Sequence, residues 1–235
     1  MKHFKSTVGP FRERPWYELE EIDRICTEEL QNAGLYPKEP GAVRIERFLE
    51  KRFGLSPRYE DLGGKILGYT RFGATGAPEE IVISRVLAES GTRGADCVLN
   101  STMAHEAGHI LLHGHLFALD GTSSLFENVE EPNKILCRDS EVDGASDRRR
   151  AYDGRWYEFQ ANRAIGGLLL PRALTLRCIE DFTEQEGKLG LRTLPETRRE
   201  AAVGRIAEVF EVNPVVARIR VDGLFSVGRT GQLTL

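Results

Sequence analysis

Four of the five histidines lie between positions 105 and 115, and two of them frame the motif H-E-x-x-H. Apolar residues recur at helical spacing over 98–116, so we predict that His105, Glu106 and His109 lie on one helix. Residues i and i+4 share a face of a helix, so both imidazoles point at one spot and can bind one cation. An accidental polar helix is the weaker interpretation, because burying two histidines without partners is costly. The motif therefore predicts a helix that carries a metal site.

A hydrolytic zinc site requires a third protein ligand and an open position. His115 follows His109 at the spacing of the metzincin pattern H-E-x-x-H-x-x-G-x-x-H. That pattern requires glycine where this chain has Leu112, and it also requires a later methionine turn. The only methionines are Met1 and Met103, and both precede the second ligand. The metzincin interpretation fails on both points.

Glu158 is the better candidate for the third ligand. It belongs to a helix predicted over 156–170, which ends at a proline. The apolar stripe of that helix includes Glu158 together with Ala161, Ile165, Leu168 and Leu169. A carboxylate on a buried stripe needs a metal or a hydrogen-bond partner, or else a salt bridge to an arginine as the alternative. We therefore predict a His-His-Glu site for one Zn²⁺ ion per chain, with Glu106 placed to reach a water on the metal.

Five further residues near these motifs are weighed for supporting roles. Asn162 lies one turn beyond Glu158 and is placed to orient a ligand by a hydrogen bond. His113 extends the histidine face, either as a group that orients a ligand or as a hydrogen-bonded histidine near a helix end. Tyr152 and Tyr157 flank the second motif, and either can donate to an oxyanion. Cys137 is expected to be an ordinary cysteine rather than a thiolate ligand.

The order of the predicted elements indicates an α+β fold. Helices are predicted over 15–33, 43–53, 98–116, 156–170, 195–210 and 214–224, and strands over 66–72 and 81–84. Residues 1–14 are expected to form a flexible tail, and residues 119–153 a polar insertion within a domain that spans 15–185. Residues 186–235 are expected to form a C-terminal helical segment that looks like a helix-turn-helix.

Composition limits the class of protein and its compartment. Lysine and arginine total 32 against 36 acidic residues, and the net charge of −4 argues against binding held mainly by nucleic-acid phosphates. No stretch approaches the roughly 18 apolar residues of a membrane span, and the N-terminus has no apolar signal region. The four cysteines are widely spaced and form no C-x-x-C pair, as is typical of reduced thiols. We therefore expect a cytoplasmic protein without a membrane partner.

Two segments carry a resemblance to a known family, the ImmA/IrrE-type zinc metallopeptidases. They are T-M-A-H-E-A-G-H-I-L-L-H at 102–113 and W-Y-E-F-Q-A-N-R-A-I-G-G-L-L-L-P at 156–171. Members of the family typically carry T-x-A-H-E-x-G-H followed by E-x-x-A-N-x-x-A-x-x-L-L-x-P. The similarity extends over about residues 15–225 and is diffuse outside the two motifs. Two features depart from the family pattern: the segment between the motifs is longer, and Gly166–Gly167 stand where alanine is usual. The two glycines predict a helix that is locally less rigid.

The resemblance implies a zincin-like fold, a small sheet packed on helices, with His105, His109 and Glu158 on the metal. It also implies that Glu106 is the general base of a peptidase. Family members are bacterial or phage proteins of the cytosol that often cleave a helix-turn-helix repressor, which switches on stress or mobile-element genes. A protein substrate, most simply such a repressor, is therefore the partner that the resemblance suggests.

Two other functions stay open at this point. The chain can instead be a zinc-stabilised regulatory or toxin–antitoxin-type protein that binds other proteins without catalysis, and a fourth protein ligand would favour that interpretation. The C-terminal helices offer Arg205, Arg218 and Arg220 to DNA, although the acidic total makes direct DNA binding the minority expectation. Docking of the substrate protein, or simple packing on the core, would require a similar pair of helices.

Overall fold

The computed structural model describes residues 2–5, 13–63, 65–119, 134–138, 155–186 and 191–225. The helices in these ranges are α1 (Leu19–Asn32), α2 (Ile45–Phe53), α3 (Arg85–Glu89), α4 (Arg93–Leu119), α5 (Trp156–Leu169), α6 (Arg172–Cys178), α7 (Glu196–Val209) and α8 (Pro214–Leu224). The strands are β1 (Lys2–Lys5), β2 (Glu13–Trp16), β3 (Arg58–Glu60), β4 (Ile66–Phe72), β5 (Pro78–Ser84), β6 (Lys134–Arg138), β7 (Glu184–Glu186) and β8 (Leu191–Thr193). The predicted α+β class is confirmed.

A four-stranded sheet in the order β3-β5-β4-β6 supports the centre of the structure. β5 pairs in parallel with β3 and antiparallel with β4, and β4 also pairs antiparallel with β6. Ile81, Val82 and Ile83 of β5 are all buried, which explains why this strand is a continuous apolar run. Thr70 of β4 pairs with Ile81 and is fully buried as well, so its hydroxyl group lies in the interior.

Helix α4 is the central helix of the fold. It packs against β4, β5 and α5, and its middle section, residues 101–110, is buried on every side. A helix in this position needs apolar residues around its whole circumference. The polar side chains on this section, among them His105, Glu106 and His109, must therefore bind one another or a ligand.

Two glycines allow α5 to approach its neighbours closely. A Cβ on Gly108 of α4 would lie 2.8 Å from the Cβ of Ala164 and 3.1 Å from the carbonyl oxygen of Ala161, both on α5. A Cβ on Gly167 of α5 would lie 2.7 Å from the sulfur of Cys26 on α1. Gly167, where the sequence predicts a locally less rigid helix, is therefore a point of close helix packing.

Most of the long elements agree with the sequence predictions, and the N-terminal region does not. α4, α5, α7 and α8 lie where their apolar periodicity predicts them, within a few residues at each end. The helix predicted to open at Pro15 begins instead at Leu19, because residues 13–16 form β2 and pair with β1. Part of the predicted tail, residues 2–5 and 13–14, thus belongs to a two-stranded ribbon.

Several short elements have no counterpart among the predictions. β6 lies within the predicted 119–153 insertion. It forms a strand through its pairing with β4, which the local sequence pattern does not indicate. β3, α3, α6, β7 and β8 have seven residues or fewer, too few to show a period. Among the helices of the described ranges, none has the length and apolar character that crossing a bilayer requires.

The C-terminal helices share the hydrophobic core of the rest of the fold. Ile206 of α7 and Val221 of α8 belong to the same buried cluster as Leu112 of α4 and Leu168 of α5. Two arginines of α8 were candidates for contacts with DNA. Both form ion pairs within the protein, Arg218 with Glu200 and Arg220 with Asp23.

We predict that Gly108→Ala lowers the free energy of unfolding by about 1–3 kcal/mol, because the new methyl group overpacks the contact between α4 and α5. Gly204→Ala on α7 is the matched control: that glycine is exposed and nothing lies within 4 Å of its added Cβ. The control should be unchanged or more stable by about 0.5–1 kcal/mol, because alanine is the better helix former. Urea unfolding measures both. Equal stability of the two variants would contradict the close-packing account.

Candidate metal centre

His105 and His109 lie one turn apart on the buried section of α4. Their Nε2 atoms are 2.9 Å apart, and neither side chain is exposed to solvent. The helical repeat brings the two imidazoles to one face, as the spacing predicts. The rings meet edge to face with their centroids 4.6 Å apart, so both Nε2 atoms point to the same volume.

Glu158 of α5 completes the cluster from the facing helix. Its Oε2 lies 3.1 Å from Nε2 of His105 and 3.5 Å from Nε2 of His109, and the residue is 6% exposed. The structure thus brings together the three residues that the sequence predicts as ligands, as a buried group that can hold a metal ion. Among the residues that the structure describes, the ion pairs of Glu158 are with these imidazoles, where the alternative was an arginine.

The three facing atoms have the chemistry and the spacing that a metal ion requires. Nδ1 of His105 lies 3.1 Å from Oδ1 of Asn162, so a neutral imidazole that donates there directs the lone pair of Nε2 into the cluster. Atoms bound about 2.0–2.1 Å from a tetrahedral zinc ion lie about 3.4 Å from one another. The three separations in the cluster, 2.9, 3.1 and 3.5 Å, lie near that value. The residues present therefore fit a tetrahedral cation.

Burial and charge set the protonation states in favour of cation binding. Burial lowers the pKa of His109, and it lowers the pKa of His113 well below the ordinary value. Burial opposes ionisation of Glu158, but the facing imidazoles of His109 and His105 hold its pKa below the usual range for glutamate. These directions favour an uncharged imidazole at His109 beside an anionic carboxylate at Glu158. This is the state in which these groups bind metals.

Glu106 follows His105 on α4, and its side chain meets the sheet. Oγ1 of Thr70 on β4 donates a hydrogen bond of 2.6 Å to Oε2 of Glu106, and both residues are fully buried. A hydrogen bond to a carboxylate is short and strong, so it fixes the direction of the side chain. Thr70 has no counterpart in the sequence predictions. The pairing of the sheet brings Thr70 next to Glu106, and no sequence motif links the two residues.

The remaining candidates are distributed around the cluster. Asn162 contacts His105 as described, which is the contact that the predicted orienting role requires. The Nδ1 atom of His113 lies 3.1 Å from Nδ1 of His109, so His113 touches a member of the cluster without joining it. His113 lies six residues before the end of α4, not at the helix end. The half-buried ring of Tyr157 has its centroid 6.3 Å from that of His109.

His115, Tyr152 and Cys137 are the other residues that the sequence singles out. His115 is exposed on α4 and is not part of the cluster, which agrees with the rejection of the metzincin pattern. Tyr152 lies outside the described residues. Cys137 is on β6, where its backbone pairs with Gly68 of β4. Cys26, Cys97 and Cys178 are free thiols.

Comparisons with known proteins add no relative to this description. No model of a known protein family matches the sequence. No curated protein matches it significantly either. The properties of the site are therefore those that its own residues provide: two buried imidazoles, two buried carboxylates and their hydrogen-bond partners.

We predict that zinc stabilises the protein and that this effect depends on Glu158. A ligand at 100 times its dissociation constant adds about 2.7 kcal/mol, or roughly 5–10 °C in melting temperature for a chain of this size. Glu158→Gln keeps the shape of the side chain but removes the charge, so the same zinc concentration should produce no shift. Glu28→Gln, a change of an exposed glutamate on α1, is the control and should retain the full shift. A zinc-induced shift that survives in Glu158→Gln would contradict the assignment.

Proposed function

We propose that this protein is a zinc-dependent metallo-endopeptidase with a zincin-like core. The observation that carries the proposal is the buried cluster of His105, His109 and Glu158 with Glu106 beside it on α4. Three protein ligands of this composition are typical of hydrolytic zinc sites, which leave the fourth position to water or substrate. The resemblance of residues 102–113 and 156–171 to the ImmA/IrrE-type metallopeptidases supports the same conclusion.

In the proposed reaction the metal ion and the side chains have different roles. A zinc ion held by His105, His109 and Glu158 would supply a water of lowered pKa and a Lewis acid for the scissile carbonyl. Glu106 is the general base, which accepts the proton of that water and returns it to the leaving amine. Thr70 holds the carboxylate of Glu106 in position through its hydroxyl group. Tyr157 and Tyr152 are the candidates for a donor to the developing oxyanion.

The resemblance also supplies the proposed substrate and setting. Family members often cleave a helix-turn-helix repressor, so we propose a protein substrate of that kind and a cytoplasmic location. The free thiols of Cys26, Cys97 and Cys178 agree with a reducing compartment. Arg218 and Arg220 are engaged in ion pairs, so we do not propose direct DNA binding by the C-terminal helices.

One observation favours a second candidate, a latent or regulatory zinc protein. The pairing of β6 with β4 places Ile135 opposite Thr70 and Cys137 opposite Gly68. Part of the 119–153 insertion therefore lies along β4, the strand whose Thr70 hydroxyl group bonds to Glu106. A fourth protein ligand donated from that insertion would close the position that hydrolysis needs and would make the site structural.

Glu106→Gln separates catalysis from metal binding. We expect the variant to bind zinc as the parent does, because Glu106 is not in the ligand cluster. Its cleavage rate should fall by about 10²–10⁴-fold, because an amide cannot accept the proton. Zinc-loaded parent and variant are each incubated with a mixture of unfolded bacterial proteins, and mass spectrometry identifies the new N-termini. Termini that form with the parent, vanish with phenanthroline and are missing with Glu106→Gln would support the peptidase.

Equal numbers of new termini from parent and Glu106→Gln would contradict the proposed role of Glu106. Zinc binding without any metal-dependent terminus would favour the regulatory candidate.

Substitutions at Thr70 test how the general base is held. Thr70→Val keeps the shape of the side chain but removes the donor, and a hydrogen bond to a charged group contributes about 1.5–3 kcal/mol. The rate of cleavage should therefore fall by about 10–100-fold, with zinc affinity unchanged. Thr70→Ser restores the hydroxyl group and should recover most of the rate. Parental activity in Thr70→Val would show that Glu106 is oriented without Thr70.

A further inference from the structure

A chain of hydrogen bonds connects the candidate ligand His109 to the backbone of the N-terminal ribbon. Nδ1 of His109 lies 3.1 Å from Nδ1 of His113, and Nε2 of His113 lies 3.0 Å from Oε1 of Gln160 on α5. Nε2 of Gln160 in turn lies 2.8 Å from the carbonyl oxygen of Pro15 on β2. The three side chains are at most 1% exposed, so water does not compete for these bonds.

The direction of each bond follows from the fixed end of the chain. A carbonyl oxygen only accepts, so the side-chain amide of Gln160 donates to Pro15 and turns its own oxygen toward His113. Nε2 of His113 must then carry a hydrogen and donate to that oxygen. In an uncharged ring the other nitrogen, Nδ1, is an acceptor, and burial away from water disfavours the cationic ring. His109 therefore donates from Nδ1 to His113.

This direction determines which nitrogen of His109 is available to a metal. A neutral imidazole with its hydrogen on Nδ1 has its lone pair on Nε2, the atom that faces His105 and Glu158. The opposite tautomer would direct an N–H group into the cluster and could not bind a cation there. The tautomer of His109 is thus set by groups on α5 and β2, far from it in sequence.

We infer that Gln160 and His113 are positioning residues that hold His109 in its metal-binding tautomer and orientation, with the Pro15 carbonyl as the fixed end. This assignment rests on the metal site of the proposed function but not on the peptidase activity. It also explains why a polar residue, Gln160, is buried where packing alone does not require one. Gln160 occupies a buried position on α5 beside Trp156 and Ala161, where an apolar side chain would fill the space without two hydrogen bonds to satisfy.

The zinc-free parent protein provides the first test, which needs no substitution. Long-range nitrogen NMR of the histidine rings reports which nitrogen carries the hydrogen. We expect the hydrogen of His109 on Nδ1 and that of His113 on Nε2. The opposite assignment for either ring would overturn the inference.

Variants test whether the chain matters for metal binding. Gln160→Met removes the acceptor for His113, and His113→Leu removes the acceptor for His109, while both keep similar volumes. Groups that orient a metal ligand typically change metal affinity by about 10–100-fold, and we expect zinc affinity to fall by that factor in both variants. His113→Gln returns an acceptor to this position and should recover most of the affinity. Competition with a chromophoric chelator measures the dissociation constants, and the absorption spectrum of bound Co²⁺ reports the coordination geometry.

Ser101→Ala is the matched control. Ser101 is buried on the same helix one turn before His105, and its hydroxyl group donates to the backbone carbonyl oxygen of Cys97 in that helix. The control should bind zinc like the parent. Parental zinc affinity and Co²⁺ spectra in Gln160→Met and His113→Leu would overturn the positioning role and leave the metal site intact. Failure of the parent to bind zinc would overturn the site itself, so the two failures are distinguishable.

Discussion

Two imidazole nitrogens and a carboxylate oxygen face one another across the contact between α4 and α5, about 3 Å apart and closed to solvent. When both imidazoles direct a lone pair toward the carboxylate the three groups repel, and a cation between them turns that repulsion into binding. Apolar side chains such as those of Leu112 and Leu168 form the buried core around these helices, so the charge of Glu158 must be balanced within the cluster. The shape of the core and the chemistry of the cluster therefore depend on the same contact.

The parts of the fold around this contact each hold one member of the site. Gly108 lets α5 approach α4 closely enough for Glu158 to reach the histidines. The sheet supplies the hydroxyl group of Thr70 to Glu106, and α5 supplies Asn162 to His105. Each of these groups lies on a helix or a strand and is held by a hydrogen bond. Such an arrangement is favourable for catalysis, since the groups need not reorganise during the reaction.

The sequence predicts the parts of this site that local chemistry determines. Residues one helical turn apart, such as His105 and His109, must share a face, and a glutamate on the apolar stripe of α5 must turn inward. Thr70 and Gln160 escape prediction, because their partners lie 36 and 145 residues away in the chain. The same limit applies to the ribbon of β1 and β2, where residues 13–16 belong to a strand through pairing and not through their own pattern.

The measurement that tests the account most directly is anomalous scattering at the zinc absorption edge, on crystals of the zinc-loaded protein. We expect one peak per chain, bound by the side chains of His105, His109 and Glu158, with a solvent molecule in the fourth position on the side of Glu106. A peak with four protein ligands would contradict the hydrolytic site and support a structural zinc. No peak in the cluster would contradict the metal centre itself.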